Sequence, residues 1–281
     1  METHVRRHYN TPDLLQKIDA GLTDAGKNIH QLHIKDLALV DQLHTGGAQA
    51  TLSLVKKTCI TPKDHILDAG CGLGGSSRLL AHTFGCRVTG IDLSASYIDA
   101  AQVLTRRTGL SHKNNFHTGS ILDLPWNNNT FDAVLCQHLL MNIKDKHAAV
   151  QEFFRVLKPG GVLMLHEIVK GGKQDLALPV PWAASAEISF LVSKDSLIQA
   201  FVGKGFRVEA FVDATETGGR YWQKVKEFTR NNAGTPRPLG PHLVFGPNAK
   251  DFPFTMAKNF ASGSIGLIEA VLKKEQTKNE K

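Results

Sequence analysis

HILDAGCGLGGSSRLLAHTFGCRVTGID, residues 65–92, holds in one run a short apolar segment, a glycine-rich turn, an amphipathic segment and a second apolar segment ending in an acid. His65, Ile66 and Leu67 suit a buried parallel strand, whose two covered faces need no polar alternation. Gly70, Gly72 and Gly74 follow at a spacing of two, and glycine lets the backbone turn sharply and approach a ligand with no Cβ in the way. Ser76 to Phe84 carries Leu79, Leu80 and Phe84, as expected of a helix whose N-terminal amides point into the turn. Arg87 to Ile91 reads as the next strand, and Asp92 at its end is placed to accept hydrogen bonds from both hydroxyls of a ribose. The stretch is half of a nucleotide-binding α/β sheet.

The same alternation continues along the chain. Strands are expected near 65–69, 87–92, 113–118, 131–136 and 161–167, with helices near 74–84, 94–108 and 145–157. Ser193 to Val202 reads as a further helix, Phe206 to Val212 as a sixth strand and Gly266 to Leu272 as a seventh. Alternation of this kind argues for an α/β fold, a Rossmann-like, mostly parallel sheet with helices on both faces. Four zones follow: a helical N-terminal cap over 1–61, a core over 62–213, a lid-like insertion over 214–263, and the last strand with a charged tail over 264–281. The cap reads as helical from Leu14, Leu15, Ile18 and Leu22 on one face and from the apolar positions between Leu37 and Val55. The insertion is punctuated by Gly218, Gly219 and five prolines from Pro236 to Pro253, the composition of many lids.

With 281 residues, 42% of them hydrophobic and 21% charged, the chain is long enough for one large core with a lid. Its formal charge of +7 is dispersed, with small clusters only at Arg6/Arg7, Lys56/Lys57, Arg106/Arg107 and Lys273/Lys274, which reads as a solvated surface and not a nucleic-acid stripe. Cys59, Cys71, Cys86 and Cys136 show no C-x-x-C spacing, and none of the thirteen histidines pairs with a carboxylate in a metal-binding pattern, so no metal is expected. No apolar segment reaches membrane-spanning length, and METHVRRHYN is not followed by the apolar core of a signal peptide. The expectation is a cytoplasmic protein without membrane partners, compatible with a homodimer.

Gly70, Gly72 and Gly75 with Asp92 also satisfy the dinucleotide fingerprint. Three features turn the reading elsewhere. Asp68 brings negative charge to the turn, which repels a pyrophosphate and welcomes an ammonium group; FDAVLCQHLLMNI (131–143) and VLKPGGVLMLHE (156–167) supply the others. Together these strings resemble the class I S-adenosylmethionine (SAM) dependent methyltransferases over residues 62–213. The resemblance implies a seven-stranded sheet with a terminal antiparallel hairpin. It implies that Asp68, Gly70, Cys71, Gly72 and Gly74 hold the methionine moiety, that Asp92 holds the ribose and that Leu93 lies beside the adenine. Relatives usually carry G-D-A after the third strand; here Gly119, Ser120 and Ile121 stand there, leaving the Ser120 hydroxyl and the Ile121 amide for the adenine.

VDQLHTGG (40–47) resembles the turn at the mouth of the cofactor site in small-molecule methyltransferases related to the sarcosine/dimethylglycine, isoprenoid and natural-product enzymes. On that resemblance Gln42 and His44 close over SAM; the plainer alternative is that Thr45 caps a helix starting near Ala48 and Gly46/Gly47 make its turn. Tyr9 matches an aromatic that in relatives reaches the methyl-donor end, with packing in the cap as its alternative. Gln137 and His138 follow the fourth strand, on the edge where ligands bind in such sheets, and Gln137 joins the cofactor set. His166 and Glu167 end the fifth strand, facing a pocket or bonding the next loop. If the acceptor is an amine or hydroxyl, His44, His138 or His166 is the candidate proton acceptor at neutral pH.

The function expected is methyl transfer from SAM to an N, O or C nucleophile of a small molecule in an enclosed pocket, releasing S-adenosylhomocysteine. Nucleic-acid methylation is disfavoured because QHLL stands where N/D-P-P-Y/F would follow the fourth strand. Two alternatives are a non-catalytic SAM-binding partner protein and a nicotinamide-dinucleotide oxidoreductase, the latter lacking any reason for the LKPGG turn.

Overall fold

The computed structural model describes residues 9, 11–172, 174–235 and 237–275; Arg6/Arg7, Pro236 and the tail beyond residue 275 lie outside the described residues. Seven strands form one sheet in the order β3-β2-β1-β4-β5-β7-β6. They are β1 (His65–Ala69), β2 (Arg87–Asp92), β3 (Asn114–Thr118), β4 (Phe131–Gln137), β5 (Leu157–Lys170), β6 (Phe206–Asp213) and β7 (Ile265–Lys274). The first five pair in parallel, and β7 runs antiparallel between β5 and β6. This is the Rossmann-like arrangement with a terminal antiparallel hairpin expected from the sequence. From β1 the chain winds outward through β2 and β3, then restarts on the other side with β4, so a crevice opens beyond the carboxyl ends of β1 and β4.

Helices flank the sheet: α4 (Gly75–Phe84), α5 (Ala95–Arg107), α6 (Lys146–Val156) and α7 (Lys194–Lys204). α4 begins where the glycines turn the chain. At Gly75 a Cβ would stand 2.3 Å from the Asp41 carbonyl oxygen, so only glycine lets the cap lie against the start of this helix. Gly70 has φ +70°, and a Cβ there would come 2.7 Å from the Leu139 side chain. The glycines thus bring three segments together at one corner.

The cap consists of α1 (Leu14–Asp24), α2 (Ile34–Asp41) and α3 (Gly47–Val55). Leu14, Ile18 and Leu22 recur at every fourth position, and that stripe packs with Leu37, Val40, Leu73, Tyr97 and Leu104. The apolar positions from Leu37 to Val55 are split between α2 and α3 by a turn in which Gly46 takes φ +82°. The 214–263 stretch folds into α8 (Thr215–Asn231), the short α9 (His242–Phe245) and α10 (Phe252–Ser262). Leu239 and Val244 join the cap cluster, while Trp222, Phe252, Met256 and Phe260 pack with Trp182 and Ile168. Cap and insertion therefore meet over the same edge of the sheet.

β5 starts at Leu157, four residues before the expected 161, because Leu157 already pairs with Phe131. The register then shifts between Phe131 and Ala133, and Gly160 at φ +77° lets the strand absorb the irregularity.

Candidate active site

Two cavities lie at the carboxyl edge of β1, β2 and β4. A slot of about 730 Å³ is lined by Asp92, Leu93, Ser94, Ser120, Ile121 and Leu139. A smaller chamber of about 120 Å³ is lined by His44, Asp68, Gly72, Gln137, His138 and Trp182. Tyr9, Gly70, Tyr97 and His138 border both. A ligand with a flat heterocycle and diol at one end and a compact polar group at the other matches this pair of spaces.

Asp92 is fixed by the turn it serves. One carboxylate oxygen accepts from the Gly72 amide and the other from the Ser94 amide, both at 2.9 Å. Burial raises its pKa while those amides oppose the rise. Asp68 accepts from the Ser77 hydroxyl at 2.5 Å and is pushed up to about 6, chiefly by burial and further by the charge of Asp92. Two neighbouring carboxylates, Asp68 buried at the chamber and Asp92 half-buried at the slot, make the region welcoming to a cation. Behind them Arg78, fully buried, donates to Asp41 at 2.6 Å, to the Leu73 carbonyl at 2.7 Å and to Thr105 at 2.9 Å. That pair ties the end of α2 to the glycine turn.

A directional chain of hydrogen bonds joins the cap to β4. His44 Nε2 lies 2.9 Å from the Gly47 carbonyl, an acceptor only, so Nε2 carries the proton and Nδ1 the lone pair. Thr51 Oγ1, 3.0 Å from His44 Nε2, donates its own proton to Gln137 Oε1 at 3.0 Å, and Ser76 donates to the same oxygen at 3.1 Å. The Gln137 amide nitrogen is buried without a protein partner.

The three histidines cluster. His138 and His166 stack with ring centroids 5.0 Å apart, and His44 meets them edge-on at 6.1 and 5.8 Å. Burial pushes His44 down to about 4 and His166 to about 3, and holds His138 well below the ordinary imidazole range. At neutral pH all three are fixed in the neutral form. They can offer or accept hydrogen bonds, but they are weaker proton acceptors than an ordinary histidine. No group of three His, Cys, Asp or Glu among the described residues is placed to hold a metal.

His166 lines neither cavity, and its neighbour Glu167 bonds the loop that follows β4. The Glu167 carboxylate accepts from the Leu139 amide at 3.0 Å, the Leu140 amide at 2.6 Å and the Ile168 amide at 3.1 Å. Burial outweighs these bonds and raises it to about 7. His138 just before that loop takes φ +49°, and its Nε2 is buried without a protein partner. Tyr9 donates to Asn142 at 3.3 Å and packs edge-on against Tyr97 and Phe245, so it is both cap packing and cavity wall.

Among the other expected residues, Gly74 is the N-cap of α4 and lies outside both cavities, as does Gln42. Cys71 borders the chamber, but its sulfur packs against β2: a Cβ on Gly90 would lie 2.7 Å from it. Thr45 does not cap α3; its hydroxyl accepts from the Trp222 indole N–H at 3.0 Å, because the insertion covers this turn. Sequence reasoning passed over Asp41, Thr51, Ser76, Arg78 and Tyr97. Arg78, a charge within the first turns of α4 among residues that must face the core, is the one with a readable signal.

Residues 67–165 match the family model described as a methyltransferase domain. Over 144 residues, 51% of this chain, the sequence is 34% identical to the glycine/sarcosine/dimethylglycine N-methyltransferase of Actinopolyspora halophila, of which it spans 24%. The chain spans about a quarter of the length of the first curated relatives it matches. Among solved structures, phosphoethanolamine N-methyltransferase 2 of Haemonchus contortus in complex with S-adenosyl-L-methionine superposes with TM-score 0.70 at 21% identity, covering 84% of this chain and 55% of that one. The [4+2]-cyclase SpnF superposes with TM-score 0.69 at 21% identity over 97% of both chains. Likeness at that identity shows the fold alone, the seven-stranded arrangement found in those methyltransferase structures, and residues 67–165 are what matches the methyltransferase domain model.

Proposed function

We propose that this chain transfers the methyl group of SAM to a small-molecule N, O or C nucleophile held under the joint cover of cap and insertion, releasing S-adenosylhomocysteine. The observation that carries the reading is the adjacency of the two cavities, which share Tyr9, Gly70, Tyr97 and His138 as walls, with Asp92 in the slot and Asp68 and the open Gln137 amide in the chamber. That sequence of groups suits a ribose diol, then an ammonium, then a carboxylate. SAM, when bound, supplies a methyl group on a sulfonium that a nucleophile can displace in line.

The chain's own part is positioning and exclusion of water. Asp92 and Leu93 set the adenosine, and Asp68 sets the amino-acid end. Tyr9, Trp182 and Phe245 wall the chamber, and the phenol of Tyr9, kept protonated by burial, adds an aromatic surface next to the cationic centre. His44 and His138 are the candidate acceptors for a proton leaving the nucleophile. A histidine held neutral is ready to accept it, and its low basicity suits an acceptor that is already neutral on arrival. The joint cover formed by cap and insertion suits a compact metabolite. Among the described residues no helix is long and apolar enough to cross a membrane, and we place the enzyme in the cytoplasm.

Purified protein incubated with methyl-labelled SAM and fractionated metabolite extract is expected to release S-adenosylhomocysteine and label one acceptor class. Failure to bind SAM or S-adenosylhomocysteine in calorimetry refutes the proposal, whereas binding without turnover in any fraction points to the non-catalytic partner protein.

A further inference from the structure

We infer that the end of the slot between α6 and α7 is a second ligand site, which takes the carboxylate of a small apolar acid on Lys146 beside the bound donor. The inference rests on the donor reading only in giving the donor the Asp92 end of the slot, and it adds a ligand of different chemistry.

The slot extends past the groups assigned to adenosine. Asp92, Leu93, Ser120 and Ile121 stand at the ends of β2 and β3, whereas Ile143, Lys146, Val192, Ser196 and Ala200 line the same space from α6, α7 and the residues before them. Methyl transfer as proposed makes no use of that second end. Ile143, Val192 and Ala200 give it an apolar wall that favours hydrocarbon over water. Lys146 sets a charge in that wall. It is 8% exposed, its Nζ donates to the Ile143 and Phe190 carbonyls at 2.5 Å each, and among the described residues it pairs with no carboxylate. Carbonyl dipoles take two of the three ammonium N–H groups and leave the charge unneutralised. A buried charge is costly without a counter-charge, and an arriving carboxylate supplies one. The acids nearby are engaged elsewhere. Asp145 lines the same end but is exposed and caps α6 through the Ala148 amide at 3.0 Å. Glu167 acts on Lys146 through space, its oxygens held by the Leu139, Leu140 and Ile168 amides. Lys144, exposed at this end, and the amide end of α6 add to the positive potential. A cation is repelled here, and a neutral ligand leaves Lys146 without a counter-charge; a short hydrocarbon with one carboxylate meets both wall and charge.

Octanoate is the probe, and octanamide is its uncharged match in shape. In calorimetry on protein saturated with S-adenosylhomocysteine, octanoate is expected to bind saturably and octanamide at least about tenfold more weakly. Lys146→Met, which keeps the apolar stem, should weaken octanoate by about tenfold or more and leave S-adenosylhomocysteine within about twofold. That variant also cuts the bridge between Ile143 and Phe190, so Ser196→Phe supplies an independent reading. Ser196 is exposed on α7, and a ring there fills this end of the slot from the solvent side. Octanoate binding should be lost in it with the urea midpoint unchanged. Absence of octanoate binding, equal binding of octanamide, or full octanoate affinity in Lys146→Met overturns the inference. If octanoate and S-adenosylhomocysteine exclude each other, the site is part of the donor's own and the inference fails while the donor reading stands. If S-adenosylhomocysteine alone fails to bind, the donor reading falls, and octanoate titrated into the free protein still tests the Lys146 site.

Discussion

Replacing Asp92 by alanine removes a group that holds two things at once. In the free protein its carboxylate satisfies the Gly72 and Ser94 amides at 2.9 Å, so the variant leaves two amides without that partner. Each unsatisfied buried amide costs about 1–3 kcal/mol, and Ser94 borders the slot while Gly72 borders the chamber, where water can reach them, which favours the low end, about 2 kcal/mol together. Against this, Asp92 is buried with its pKa raised, so its ionised form is itself penalised and removing it returns part of the loss. The net fall in stability should be on the order of 1–2 kcal/mol, a measurable shift in the urea midpoint. Ligand binding loses more. One bidentate contact to a diol is worth roughly tenfold, about 1.4 kcal/mol, and the loosened glycine turn must also be ordered on binding. S-adenosylhomocysteine affinity should therefore drop by roughly tenfold to a hundredfold, and Asp92→Asn, which keeps one acceptor oxygen, should fall between. If urea unfolding shows the stability loss while calorimetry finds affinity unmoved, Asp92 is only a staple of the turn and the ribose assignment is wrong.

Acid should weaken donor binding through Asp68. Its carboxyl is raised to about 6 in the free protein, and an ammonium ligand favours the charged form, so binding below that pH must expel a proton. Affinity for S-adenosylhomocysteine is expected to be flat above about pH 6 and to fall about tenfold per unit below it, and Asp68→Asn should abolish that slope; a sloping profile in the variant assigns the proton elsewhere. Trp222→Phe removes the indole bond to Thr45 and should cost about 1 kcal/mol in urea unfolding. It should depress turnover more than S-adenosylhomocysteine affinity, and the reverse pattern would mean that the insertion does not cover the acceptor. Glu167 has its folded pKa near 7, above its ordinary value, so its contribution is present in acid and lost as pH rises toward 7. Urea midpoints of Glu167→Gln should lack that component, and a variant whose pH dependence parallels the unaltered protein contradicts the burial argument.

The residues proposed for the donor half have legible positions because they are local. Asp68, Gly70, Gly72 and Asp92 fall within one strand-turn-helix-strand unit, whose period and glycines dictate where each residue must lie. The chirality of β-α-β connections then places Gln137 and His138 at the same edge. Strand positions followed for the same reason: buried parallel strands are short apolar runs, and the punctuation between them is strong. Where sequence reasoning erred, a residue's neighbour was far away in the chain. Thr45 suits a helix cap by type, yet its partner is Trp222, 177 residues on. Cys71 and Gly74 sit in the expected turn, Cys71 bordering the chamber with its sulfur against β2 and Gly74 starting α4.

The side proposed for the acceptor is made of such distant meetings. Tyr9 reaches Asn142 across 133 residues, Thr51 reaches Gln137 across 86, and Thr11 bonds the Val244 carbonyl across 233. None belongs to a periodic pattern, so a single sequence gives each residue's chemistry without its company. The physical division has a consequence for specificity. The groups proposed for the donor are anchored to the sheet, whereas His44, Tyr9, Trp182 and Phe245 come from the cap, the 171–193 segment and the insertion. The hydrogen-bond chain from His44 through Thr51 to Gln137 is one point where those two parts touch, and the Arg78–Asp41 pair is another. A change of cap that moved α2 or α3 would therefore shift groups at the carboxyl edge of the sheet as well as the walls of the chamber, so cap and core are coupled at Asp41 and Thr51.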